Sequence, residues 1–127
     1  MKNVIPLILF LSLLCGCNDI SDRPVTRIKS YPYEASPQRI QQIIKNYNRI
    51  QKEMNQKDLL DVMGEPDEIR PLYEPKHNPP RKPVGTTWWY IIQRKQENGS
   101  VIDKDEKLVR YTLDKSGNVY RIDKWGF

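Results

Sequence analysis

Apolar positions along the chain change their period part-way. Ile40, Ile43, Ile44, Tyr47, Ile50 and Met54 recur at steps of three or four, which predicts a helix carrying one apolar stripe. Ser36 suits the N-cap of that helix and Pro37 its first position. Asn55 is placed to cap a second, shorter helix whose apolar residues are Leu59, Leu60, Val62 and Met63. Asp58 in its first turn favours the helix dipole. Gly64 predicts a left-handed stop, and Pro66 prevents the helix from resuming.

After Pro66 the period turns to two. DEIRPLYE reads as a strand in which Pro71 marks an edge or a bulge. PKHNPPRKPVG predicts a stiff, extended loop, and TTWWYIIQR gives the strongest strand signal in the chain. ENGSVIDKDEK is a hairpin connection with its turn signal at Asn98-Gly99. KLVRYTL, the tight turn DKSGN and VYRID complete a closing hairpin, and Trp125 and Phe127 form an aromatic tail. Alternation turns Val109, Tyr111, Leu113, Tyr120 and Ile122 toward the helices, and Arg110, Thr112, Arg121 and Asp123 toward water. The predicted fold class is α+β: two N-terminal helices on a three- to four-stranded antiparallel sheet, in the order ααβββ. It follows a signal peptide and a flexible lipid tether.

The front of the chain has a different texture. Val4 to Leu14 is an apolar run too short for the roughly 20 residues of a membrane-spanning helix. It matches instead the short apolar region of a secretory signal peptide, with Lys2 as its basic flank. The two cysteines, Cys15 and Cys17, have only His77 as a possible further zinc ligand of the Cys/His type. A disulfide between positions two apart is strained. Leu14-Cys15-Gly16-Cys17 resembles the bacterial lipobox, an apolar residue and two small ones before the cysteine that receives diacylglycerol. The resemblance implies cleavage after Gly16 and acylation of Cys17. Asn18, standing where Asp would favour inner-membrane retention, implies the periplasmic face of the outer membrane. The expected organisation is a signal peptide at 1–16, a lipidated N-terminus and tether at 17–35, and one domain at 36–127. Tyr31 and Tyr33, flanking Pro32 in the tether, could dock on a partner or on the domain itself.

The formal charge of the whole chain is +5. The basic residues are scattered rather than blocked, and a secreted chain is a poor nucleic-acid partner. Weak attraction to anionic lipid headgroups beside the anchor is expected. With no cysteine left after Cys17, the domain must stand on its core alone.

The stretch IQKEMNQKDLLDVMGEP (50–66) resembles the start of the SmpA/OmlA family, which includes the small lipoprotein of the outer-membrane β-barrel assembly machine. Ile50, Met54, Leu59, Met63, Gly64 and Pro66 fall in the family's register. Trp88 and Tyr90 stand in the positions of its Trp-x-Tyr strand, and KLVRYTLDKSGNVYRI is similar to its closing hairpin. The likeness covers about residues 50–123. The family's Gly-Met-Thr is Glu53-Met54-Asn55 here, and losing that glycine predicts a first helix that runs on into the second. The loop at 70–84 is also longer. The resemblance implies a noncatalytic, periplasm-facing lipoprotein that binds envelope proteins, the barrel assembly machine among them. An inhibitor or immunity-type lipoprotein that blocks an envelope enzyme with the 70–84 loop is the alternative.

Catalytic constellations are not legible. His77 lies in the proline loop without a neighbouring nucleophile, and a triad needs a positioned base. Asp103, Asp105 and Glu106 lack the order of a calcium loop. Glu65, Asp67 and Glu68, at a helix-to-strand turn, are expected to solvate that turn rather than act as a carboxylate pair. No catalytic residue, metal or cofactor is therefore expected. Trp88 and Tyr90 point to one side of their strand and Trp89 to the other, so one large aromatic must be exposed or covered by the proline loop. Exposed aromatics beside basic residues make binding hot spots. The candidate partner surface is Trp88, Trp89, Tyr90, Arg81 and Lys82.

Overall fold

Residues 23–75, 82–96 and 104–127 are described by the computed structural model. Two short strands come first, β1 at Val25–Thr26 and β2 at Tyr33–Glu34. Helix α1 (Pro37–Asn46) and a 3-10 turn (Tyr47–Arg49) follow, then α2 (Gln56–Met63). Four longer strands complete the chain: β3 (Glu68–Tyr73), β4 (Pro83–Arg94), β5 (Lys107–Asp114) and β6 (Val119–Trp125). All belong to one six-stranded antiparallel sheet of order β1-β3-β4-β5-β6, in which β2 pairs β4 beyond the end of β3.

This corrects the predicted fold class. The molecule is mostly β, and its helices come after the first two strands instead of leading a small ααβββ sheet. Strands of two residues carry no period, so their pairing was invisible in the pattern. The stretch read as a tether also changes character. Val25 and Thr26 pair with Ile69 and Glu68, Tyr33 and Glu34 pair with Arg94 and Gln93, and Ile28 and Ala35 are buried.

Helix α1 begins as expected, with Ser36 Oγ accepting from the Arg39 amide and Pro37 opening the first turn. It ends ten residues on, and the predicted stripe breaks with it. Ile40, Ile43 and Tyr47 pack inward, Ile44 is 47% exposed, and Ile50 enters the core from extended backbone. The helix does not run on into α2. Glu53 takes a positive φ of 80°, making without glycine the turn that glycine would make easily. Its amide donates to the Val119 carbonyl, and the Val119 amide donates to Met54, so β6 holds this turn in place. Such a backbone costs a non-glycine residue about 1–2 kcal/mol.

Helix α2 carries a reciprocal capping box between Asn55 and Asp58. Gly64 closes it at φ 76°, ψ −168°, a region open almost only to glycine but not the left-handed helical one expected. Leu59 and Met63 are fully buried, whereas Leu60 is exposed. At the other end of the sheet Gly85 lies against the β5 backbone, where a Cβ would meet the Leu113 carbonyl oxygen at 2.2 Å.

The sheet has two buried faces. The inner core joins Ile43, Leu59 and Met63 of the helices to Trp88, Tyr90 and Ile92 of β4 and to Val109, Tyr111 and Leu113 of β5. Tyr90 and Tyr111 meet edge to face at 5.7 Å, and their hydroxyls donate to the Gly64 and Tyr47 carbonyls at 2.8 Å. Burial raises the pKa of both phenols. A bulge in β6, opposite the Thr112–Leu113 step, disturbs the expected alternation. Val119 turns inward and Tyr120 outward.

Candidate functional site

The outer face was expected to meet water at Arg110, Thr112, Arg121 and Asp123. Only Arg121 is well exposed; Thr112 is buried, and Arg110 and Asp123 are partly buried. The cause is Trp89. Its indole lies on this face with Ile91 and Leu108, and Ile28, Tyr31, Tyr33 and Trp125 pack over them. Its Nε1–H donates to Thr87 Oγ1 at 2.8 Å.

Three arginines surround the Trp89 ring. The guanidinium carbons of Arg70 and Arg94 stand 5.4 Å from its centroid and that of Arg110 stands 4.9 Å away. Arg110 also sits 4.9 Å over the Trp125 ring. Cation–π attraction favours this stacking, more so where water is excluded. Acidic partners balance the charge. Arg94 bonds Glu68 Oε1 at 2.9 Å and Glu106 Oε1 at 2.8 Å, and all three side chains are buried. Arg70 bonds Glu68 Oε2 at 2.9 Å, and Arg110 bonds Asp123 at 3.1 Å. Burial alone would loosen the Arg94 proton, but the Glu68 and Glu106 carboxylates outweigh it and raise the pKa.

At one margin of this face, Asp67 extends the strand pairing with its side chain. Its amide donates to the Trp89 carbonyl at 2.8 Å, while its Oδ2 accepts the Ile91 amide at 2.7 Å. Burial raises the pKa of this carboxyl, opposed by the Ile91 hydrogen bond and by Arg39, whose Nη2 is 3.6 Å away. Arg39 also donates to the Glu65 carbonyl at 2.7 Å, tying α1 to the end of α2. Burial and the nearby Asp67 charge raise the pKa of Tyr33. Arg27, Tyr33, Glu34, Ser36, Arg39 and Asp67 line an open cavity of about 440 Å³. The carboxylates of the helix-to-strand turn therefore do more than solvate it. Asp67 and Glu68 are buried and bonded, and only Glu65 is exposed, with Arg27 at 2.6 Å.

The predicted partner surface is not assembled as a surface. Trp88 and Tyr90 lie in the inner core and Trp89 is 7% exposed in the outer one, so the three aromatics present no open hot spot. The cover on Trp89 that the described residues show comes from the Ile28–Tyr33 stretch and Trp125, where the proline loop had been expected. Lys82 is exposed, just before β4. Arg81 lies outside the described residues, as do His77, Asp103, the Asn98-Gly99 turn and the lipobox residues Gly16 and Cys17. Of the 70–84 stretch, 70–73 belong to β3 and 83–84 to β4, and 76–81 lie outside the described residues. Sequence reasoning missed Glu68, Arg94 and Glu106 as a set. The available signal was a charged residue at each end of apolar strands that require a second covered face.

No protein-family model, curated protein or solved structure matches this chain.

Proposed function

We propose that this chain is a noncatalytic, lipid-anchored binding module of the bacterial envelope. In this reading Cys17 carries the acyl group and the domain faces the periplasm from the outer membrane. Its partners are envelope proteins. The proposal includes kinship with the SmpA/OmlA family, argued from 50–66 and the closing hairpin, and the barrel assembly machine is then one candidate partner.

The observation that supports this reading best is how early the described fold begins. Only residues 18–24 separate Cys17 from the first strand at Val25. At about 3.3–3.6 Å per extended residue, the sheet would sit within roughly 30 Å of an acylated Cys17. That distance suits a module that works on proteins at the membrane surface. The acidic groups near Trp89 also have structural work: Asp67 completes strand pairing, and Glu68 and Glu106 neutralise Arg94.

Intact-mass measurement of the membrane-extracted protein, with crosslinking in the native envelope, tests the reading. The expected result is an acylated chain beginning at Cys17, crosslinked to envelope proteins, and loss of membrane attachment in Cys17→Ser. An unacylated chain, or one still carrying residues 1–16, defeats the anchoring claim.

A further inference from the structure

We infer that the outer face around Trp89 is a docking groove for an extended polypeptide, and that residues 23–35 fill it as an internal ligand a partner segment can replace. The inference deepens the proposed protein-binding role and rests on it.

The strap's own contacts define what the groove takes. Val25 and Thr26 add a strand to the outer edge of β3. Ile28 then packs with Trp89, Ile91 and Leu108. The hydroxyls of Tyr31 and Tyr33 approach Glu68 Oε1 and Asp67 Oδ1, each at 3.5 Å. Tyr33 and Glu34 pair with the end of β4, and the Ala35 amide donates to the Ile92 carbonyl at 2.9 Å. This combines strand addition, which supplies main-chain hydrogen bonds, with side-chain recognition in alternate positions. The fitting partner is an extended segment with a β-branched strand residue, then a large aliphatic one, then phenolic or other donors facing the two carboxylates.

Two observations make the strap replaceable. Within 23–35 only Ile28 and Ala35 are buried, and Val25 is 52% exposed. Segments with few buried contacts open ahead of the rest of a fold. Beneath the strap the apolar layer of Trp89, Ile91 and Leu108 is bordered by the Arg94–Glu68–Glu106 network, whose Arg94 stacks on Trp89. Ions taken out of water lose hydration that is regained when the cover lifts, so exposure of this face is less unfavourable than exposure of the inner core.

The test uses the full secreted chain made soluble by Cys17→Ser, with a fluorescein-labelled synthetic peptide of residues 23–35 as probe. Ile28→Ala should loosen the strap and tighten apparent peptide binding by about tenfold or more, since affinity scales with the open fraction. Glu34→Cys with Gln93→Cys joins directly opposed residues of β2 and β4, at a spacing compatible with a disulfide. The oxidised form should bind no peptide, and reduction should restore binding. Equal binding by the loosened and locked chains would overturn the inference. Hydrogen exchange on the chain with its own strap gives a second reading that needs no destabilised variant. Amides of Arg27 and Ala35 should exchange well ahead of the β4–β5 ladder, and equal rates would refute a separately opening strap. Acylation of Cys17 is read by mass in the native protein, so the groove can fail while the anchoring claim stands.

Discussion

The two faces of the sheet solve the same burial problem with different chemistry. The inner face meets two helices through Ile43, Leu59 and Met63, and its polar atoms are mainly phenols bonded to backbone carbonyls. The outer face meets a short strap through Ile28, Tyr31 and Tyr33, and it contains a buried arginine held between two glutamates. One strand, β4, supplies both: Trp88, Tyr90 and Ile92 go inward, and Trp89 and Ile91 go outward. A chain with little apolar material in its cover can thus still close a sheet face, by stacking guanidinium groups on indole. The resulting face depends on charge pairing in a way the inner face does not.

The sharpest way to break this contrast is to remove Arg94. Arg94→Met leaves Glu68 and Glu106 buried without their shared cation, and should lower unfolding free energy by about 4 kcal/mol in urea titration. Adding Glu68→Leu and Glu106→Leu should recover most of that loss, since an apolar set of similar volume avoids desolvation. If the triple variant stays as unstable as the single one, the outer face is not the polar substitute for a core described above. On the inner face Leu59→Ala should cost about 3 kcal/mol through lost burial and the cavity left. There no second substitution among charges should rescue it.

A smaller effect, of opposite sign, belongs to the turn before α2. Glu53→Gly should stabilise by about 1 kcal/mol, because glycine accepts the positive φ without penalty. An unchanged or lower melting temperature would show that the Glu53 side chain contributes more than its backbone strain removes.

The finest distinction lies in pH dependence. Burial raises the pKa of Asp67 in the folded chain, so the folded state holds a proton there that the unfolded chain has already released. Acidification from the folded pKa toward the unfolded value of about 3.9 should therefore add stability through this group. Asp67→Asn, which keeps an acceptor for the Ile91 amide, should remove that contribution. A stability profile unchanged by the substitution across that window would contradict the assignment. The phenols of Tyr90 and Tyr111 act at the other extreme: their folded pKa values are raised, so the stability they contribute falls as pH rises above about 10.

Most of the inner face was legible in the sequence. Asn55, Leu59, Met63 and Pro66 predicted α2, Trp88–Tyr90 and Val109–Leu113 predicted the central strands, and alternation turned Val109, Tyr111 and Leu113 inward, while the pattern alone did not decide which side of β4 holds Trp88 and Tyr90. What escaped was cover and irregularity. Val25–Thr26 and Tyr33–Glu34 are too short to show a period, so the residues that close the outer face read as linker. Arg110 and Asp123 read as solvent-facing because alternation separates two sides but does not say that both are buried. Tyr120 was misassigned because one extra residue in β6 reverses the side on which the next side chain emerges. Glu53 was misread because a tertiary hydrogen bond, which no local propensity contains, holds its turn.

Gly85 has a consequence for how the sheet chooses its alignment. Its missing Cβ leaves room for the Leu113 carbonyl, and Val84 and Thr86 are its chain neighbours. If β4 slid one place along β5, a branched side chain would arrive where only a hydrogen fits. The near-miss pairing that would exchange Trp88 for Trp89 across the two faces is thus barred by a steric stop at the far end of the strand.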